Sequence, residues 1–459
     1  MHTSVSPNSI LTGSIPQQLL LFFLPIWFGT LFQQLYNTVD AMVVGNFVGK
    51  EALGAVGGAT ATFIELCVGF VLGLSSGATV VVAQYYGSHE VEGVRKGVSC
   101  AMFLAVALGI CMSATGIIFA PYILKALNVP AEIYPYSLTY MRIYLAGMIP
   151  LLIYNNGAGI LRAIGDSRRP LYFLIASALT NIVLDLLFVV VFHMGVAGVG
   201  LATVIAQIVA CTLTLYSLGT TNDIYRFSFR EMKLDSAVFR RILIIGIPMG
   251  LQSCMYAVSN LFVHRGINAY GTDTVAANTA FGRIDALFWN SSNALGQSCL
   301  TFCGQNFGAG NIKRVRKGIR TGIIMYMIGS AAISSFLYVY GSFFFHLFTN
   351  DVNVIEIGLS ILRFQCPFWI VFSIVEVLSC SLRACGDSLF PMIMTTMVMG
   401  VFRISWILFY PAKGLFDTIR CYPISWSLLA LLYLVYYLQG GWLKRCLSQK
   451  EKLMEANRA

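Results

Sequence analysis

The chain has 459 residues, of which 57% are hydrophobic and only 11% charged, with a mean hydropathy of +0.74. A soluble domain carries about 25% charged residues, so this composition cannot cover a water-facing surface and excludes a large soluble enzyme or binding module. The net charge of +10 is spread between apolar windows, which points to membrane topology and away from nucleic acid.

Taken in chain order, the first fifteen residues contain no Lys or Arg. A secretory signal opens with a basic region, so the first apolar segment, around Leu19–Phe28, is expected to remain as a span. It continues as "LFQQLYNTVDAMVVG", which sets Gln33, Asn37 and Asp40 at i, i+4 and i+7 on one helical face. The second span carries Gly69, Gly73 and Gly77, a small-residue stripe that lets helices approach closely. Further windows of 18 or more apolar residues follow, among them Ala101–Ala120, Leu171–Phe192, Ile323–Leu337 and Ser425–Leu438. About twelve transmembrane helices are expected, joined by short polar loops. The twelve cysteines are scattered through these spans without a CxxC pair and read as small buried hydrophobes, so no metal site is expected.

Alternate loops collect the positive charge. They hold Arg95 and Lys96; Arg162, Arg168 and Arg169; the stretch from Arg226 to Arg241; the cluster from Lys313 to Arg320; Arg383; and the tail from Lys444 onward. Together these are 21 of the 30 Lys and Arg residues. Positive loops mark the cytoplasmic side, which places both termini in the cytoplasm.

The fourth-to-fifth connection reads "LRAIGDSRRP" at 161–170 and returns as "LRACGDSLFP" at 382–391, 221 residues later. The same offset relates "VRKG" at 94–97 to "VRKG" at 315–318, and "QYYG" at 84–87 to "QNFG" at 305–308. With two inserted residues, "LP" at 24–25 meets "IP" at 247–248. The chain is therefore expected to be an all-α polytopic membrane protein of two six-helix lobes related by a parallel internal repeat, a plan found among secondary transporters. The lobes are 1–221 and 236–446, separated by a cytoplasmic linker at 222–235 and followed by a tail at 447–459. The duplicated motif itself reads as architecture: Gly165 and Gly386 suit helix C-termini, Asp166 and Asp387 the next N-cap, Pro170 and Pro391 an early turn.

Polar groups present in one half alone are the better candidates for chemistry. A mid-membrane carboxylate costs about 2.5–3.5 kcal/mol on insertion scales and needs a reason. Asp40 on the first span and Asp185 on the fifth, where Ser177, Asn181 and Asp185 share a face, face Leu261 or Val263 and Trp406 in the second half. Thr203 and Gln207 share a face of the sixth span. Burial favours the neutral form of a carboxyl, so such a group can exchange a proton, and the same oxygens suit sodium, a hard cation. Other intramembrane charges are Glu65, Arg283, Asp285, Glu376 and Arg403, with Arg403 and Glu376 a candidate ion pair.

The run "QQLYNTVDAMVVGNFVG", the stretch "CGQNFGAGN" at 303–311, the duplicated "LRAxGDS" and "YPISW" at 422–426 together resemble the multidrug and toxic compound extrusion (MATE) transporters over essentially the whole chain. Within them the sequence is similar to the bacterial DinF-like branch. That resemblance implies coupling through Asp40, Asn181, Asp185 and Thr203 and bending of the first span at Pro25. The acids that the NorM-type branch places on the seventh and tenth spans are matched here by Tyr256 and Phe372, with Glu376 one turn on. The expectation is an antiporter, not an enzyme, of the bacterial inner membrane. It would export organic, cationic and amphipathic compounds in exchange for protons or sodium ions as two lobes rock about a cleft. Candidate cleft residues are Gln33, Gln34, Asn37, Gln207, Tyr256, Glu376 and Arg403. No cofactor beyond the coupling ion and no nucleic-acid partner are expected, and the protein is expected to be a monomer in the bilayer. Two other readings are a lipid-linked precursor flippase of the same superfamily and an uncoupled channel or scaffold.

Overall fold

A computed structural model describes residues 9–410 and 413–456. The first eight residues, read above as part of an uncleaved N-terminus, and Arg458 of the tail lie outside them. Among the described residues there are only helices and their connections. Among these residues ten helices are long and apolar enough to cross a membrane, and the pair Tyr134–Ala146 and Met148–Ala163, bent by 46°, counts as an eleventh when taken as one span. The repeat supplies the twelfth segment, Thr272–Gly308. Its 37 residues suffice in length, and the stretch 286–308 carries no charge, but Asn290, Ser291, Ser292, Asn293, Gln297 and Ser298 dilute its hydropathy, so it is not one of the eleven.

The breaks follow from sequence. The fourth span bends where Gly147 is followed by Pro150, whose ring cannot accommodate the carbonyl four residues back. Its repeat counterpart, Val352–Ala384, is interrupted by the 3-10 turn Cys366–Phe368 around Pro367. Both fifth spans contain a π-helical stretch, Leu186–Val191 and Thr396–Phe402. Such stretches insert an extra residue into a turn and are frequent at functional sites.

The duplicated motif forms the expected turn in each half. Gly165 and Gly386 adopt φ of 104° and 102°, a left-handed conformation that costs glycine little. Asp166 N–H donates to the Leu161 carbonyl at 2.9 Å and Asp387 N–H to that of Leu382 at 3.0 Å, closing the preceding helix. Asp166 Oδ1 then accepts from the N–H groups of Arg168 and Arg169, opening the next.

The described residues divide into two compact units. One comprises Leu24–Gly250, the other Ser9–Phe23 with Leu251 onward. The sequence reading starts the second lobe at 236, whereas Ser236–Gly250 belongs to the first compact unit. The reason is close packing between small residues. A methyl group added at Gly73 would come within 2.6 Å of Gly250 Cα, and one at Gly77 within 2.6 Å of the Ile242 carbonyl oxygen.

Candidate functional site

The N-terminal unit brings Asp40, Asn181 and Asp185 together. The first span delivers Asp40 from its C-terminal half, and the fifth delivers Asn181 and Asp185 one turn apart on one face. Asp40 is 8% exposed, Asn181 1% and Asp185 not at all. The two carboxyls lie within hydrogen-bonding range of each other, and Asn181 within range of Asp40. Yet Asp40 Oδ1, both Asp185 oxygens and both polar atoms of the Asn181 amide are buried without an aligned hydrogen-bond partner. On the same spans and the sixth, Val43, Val44, Val189 and Val199 belong to one buried apolar cluster, with Val39 packed against it. Ser177, the third member of the fifth-span stripe, is buried and donates to the Ala206 carbonyl at 2.8 Å. Thr203 is buried too, its hydroxyl donating to the Val199 carbonyl at 3.0 Å.

Next to this group is a cavity of about 190 Å³. Pro25, Gln33 and Tyr36 of the first span line it, with Tyr144, Tyr154, Arg162 and Gln207. Tyr36 and Tyr144, and Tyr140 behind them, lie within electrostatic range of Asp40. The rings of Tyr140 and Tyr144 stand 5.9 Å apart. Sequence reasoning missed this tyrosine shell, because an aromatic residue in an apolar span carries no signal that separates a cavity wall from a core. It also read Arg162 only as the end of a helix. Arg162 instead lines the cavity, and its Nε has no hydrogen-bond partner.

Other candidates are dispersed. Gln34 and Asn37 are exposed on the first helix and line neither this cavity nor that of the second unit. In the C-terminal unit Tyr256 and Arg403 line a different cavity, while Glu376 lies outside it. Arg403 and Glu376 do not form the candidate ion pair. Arg403 donates to Ser425 Oγ at 2.7 Å and stacks over Tyr422, and Glu376 accepts from Cys380 Sγ at 3.3 Å, one turn along its own helix. Burial of polar Arg403 is thus compensated in part by a hydroxyl and aromatic faces. All cysteines except Cys67, Cys111 and Cys254 are buried. Among the described residues no group of three or more His, Cys, Asp or Glu side chains is arranged to hold a metal ion.

The sequence model of the MatE family matches residues 25–187 and, a second time, residues 245–408. The chain belongs to the MatE family. The double match restates the repeat, and it places this MatE protein among multi-pass membrane transporters associated with multidrug efflux. It is 29% identical over 406 residues to the "probable multidrug resistance protein YpnP" of Bacillus subtilis, covering 88% of this chain and 89% of that one. It is 23% identical over 480 residues to the "probable multidrug resistance protein NorM" of Thermotoga maritima, covering 99% of this chain and all of that one. A solved transporter of the MOP superfamily from Pyrococcus furiosus shares the MatE fold with a TM-score of 0.88 at 22% identity, covering 97% of this chain and 99% of that one.

Proposed function

We propose that this MatE protein is a secondary antiporter of a bacterial inner membrane, with both termini cytoplasmic. It exports organic, cationic and amphipathic compounds in exchange for protons or sodium ions by alternating access. The observation that carries the reading is the buried pair of carboxyls in the N-terminal unit, with four oxygens (counting that of Asn181) lacking hydrogen-bond partners. Two ionised carboxyls at such range repel each other, and one proton or one cation between them relieves the repulsion. Asp40 and Asp185 bind the coupling ion in this reading, Asn181 contributes its amide oxygen, and Thr203 its remaining lone pair. A sodium ion would find an all-oxygen donor set there. Gln33, Tyr36, Tyr144 and Gln207 line the adjacent cavity, so an organic cation and the coupling ion would compete for one negative centre. No cofactor beyond the coupling ion is required, and one chain suffices.

The test is efflux of a fluorescent organic cation from proteoliposomes under an imposed proton gradient, then under a sodium gradient. Wild-type protein should respond to at least one of them, and Asp40→Asn and Asp185→Asn should each reduce efflux to that of protein-free liposomes while still reconstituting. Wild-type rates in both variants would refute the assignment. Flux of the cation through wild-type protein without any imposed gradient, insensitive to both ions, would favour an uncoupled channel.

A further inference from the structure

A second polar cavity, of about 260 Å³, lies wholly within the C-terminal unit. Its charged groups are Arg403, at the start of the helix Arg403–Phe409 that follows the π-helical stretch Thr396–Phe402, and Asp285, on Thr272–Gly308. Arg403 is 2% exposed. Its Nε is held by Ser425, and its guanidinium stacks 4.6 Å above the Tyr422 ring and 5.9 Å from that of Trp426. Its Nη2 is buried without a partner. Asp285 Oδ2 accepts from Trp289 Nε1 at 2.6 Å, whereas Oδ1 is buried and unpartnered, as is Oδ1 of Asn260.

Opposite charges thus line one small cavity without pairing with each other: among the described residues the ion pairs lie elsewhere. Rings occupy the interval between them. The Trp289 ring, whose N–H holds Asp285, stands 6.1 Å from that of Trp426, and Trp426 in turn neighbours Arg403. A buried guanidinium N–H and a buried carboxylate oxygen left open each carry an unpaid desolvation cost. A ligand that presents an anion to one and a donor to the other removes both costs at once. Aromatic walls favour a flat ring between those two groups. The volume falls just below the roughly 300 Å³ at which small-molecule pockets begin, which suits a single ring.

We propose that this cavity binds a small aromatic carboxylate carrying a hydrogen-bond donor across the ring. Its carboxylate rests on Arg403 Nη2, its ring lies against Tyr422, Trp426 and Trp289, and its donor meets Asp285 Oδ1 and Asn260 Oδ1. The site requires none of the coupling residues of the N-terminal unit, and its test is equilibrium binding, so it stands or falls separately from antiport.

The probe is 4-(aminomethyl)benzoate, titrated calorimetrically into the full chain in detergent. Two analogues each lack one group: 4-ethylbenzoate has no donor, and 4-methylbenzylamine has no carboxylate. Each should bind about tenfold or more weakly, the size of one lost charge-assisted hydrogen bond. Asp285→Asn should erase the advantage of the probe over 4-ethylbenzoate while sparing its advantage over 4-methylbenzylamine. Arg403→Gln should do the reverse. Should Arg403→Gln fail to fold, the analogue series on wild-type protein and the Asp285→Asn result decide the matter. Saturable binding in which 4-methylbenzylamine matches the probe would overturn carboxylate recognition, and so would the absence of any saturable binding of the probe to wild-type protein.

Discussion

A carboxyl group inside a bilayer is stable only with a proton, a cation or a set of donors, and Asp40 Oδ1 and both Asp185 oxygens have no aligned donors. Because each is the other's neighbour, they act as one unit, and losses at coupled residues do not add. The double variant Asp40→Asn/Asp185→Asn should therefore transport no worse than either single variant. Proteoliposome efflux rates measured side by side check this; single variants that each keep part of the wild-type rate, with a double variant clearly below both, would mean two independent ion sites. Asp235, in the linker outside the spans, shows the opposite electrostatics. The Val238 N–H donates to its carboxylate at 3.0 Å and Lys96 pairs with it at 3.2 Å, which together hold its carboxyl below the usual carboxylate range. A depressed acid stabilises the fold above its ordinary pKa of about 3.9 and loses that contribution as pH falls through its folded value. Asp235→Ala should destabilise the protein by about 1 kcal/mol at pH 7, the size of a lost N-cap. In acid the difference should close. Thermal unfolding in detergent at both pH values reads the effect. Asp40 and Asp185 were legible as candidates because acids stand out in apolar spans, while Tyr36, Tyr140 and Tyr144 were hidden by their ordinary chemistry.

At the scale of elements, two prolines related by the repeat stand where the compact units divide. The first span passes from one unit to the other between Phe23 and Leu24, one residue before Pro25, and the seventh between Gly250 and Leu251, just after Pro248. A helix of 33 residues rises about 50 Å, longer than a bilayer core of about 30 Å, and proline removes a backbone donor within it. Pro25 also lines the cavity that Gln33 and Tyr36 border, so bending there would reshape the wall nearest Asp40. Pro25→Ala should keep its fold and bind substrate but turn over more slowly. Equal turnover to wild type from pH 6 to pH 8 would make Pro25 a static kink. The glycine stripe is a second element-level feature. At Gly77 a side chain would meet the backbone of Ile242 and Gly246, which has no flexible atoms to yield. Gly77→Val should cost about 1–3 kcal/mol through overpacking and lower the unfolding temperature in detergent, whereas at Gly329, where an added methyl meets nothing within 4 Å, the same substitution should be close to neutral. The sequence showed the stripe but not its partner, because a small-residue pattern states that a helix can be approached, not by which helix.

For the whole molecule, the repeat and the charge pattern fix different things. The repeat was legible because caps and turns recur at a constant offset, and the family match at 25–187 and 245–408 follows the same division. The compact units cut across that division inside two spans, since which helices touch depends on packing that a single sequence does not encode. Orientation in the membrane rests on charge: 21 of the 30 Lys and Arg residues fall in or beside one set of alternate connections, the set that the positive-inside rule assigns to the cytoplasm. The linker is the most informative place to test this. It is tied down at Lys233, whose N–H donates to Ser99 Oγ at 3.0 Å, and at Asp235, yet Arg226 and Arg230 remain exposed. Lys125 is exposed in the last turn of the helix Val91–Ala126, beside the opposite set of connections. With Cys67, Cys111 and Cys254 replaced by alanine, the remaining native cysteines are buried. In that background an impermeant maleimide added to intact cells should label Lys125→Cys and leave Arg230→Cys unlabelled until the membrane is opened. The reverse pattern would turn the protein over in the bilayer, and labelling of both sites from outside would break the alternation on which the span order depends.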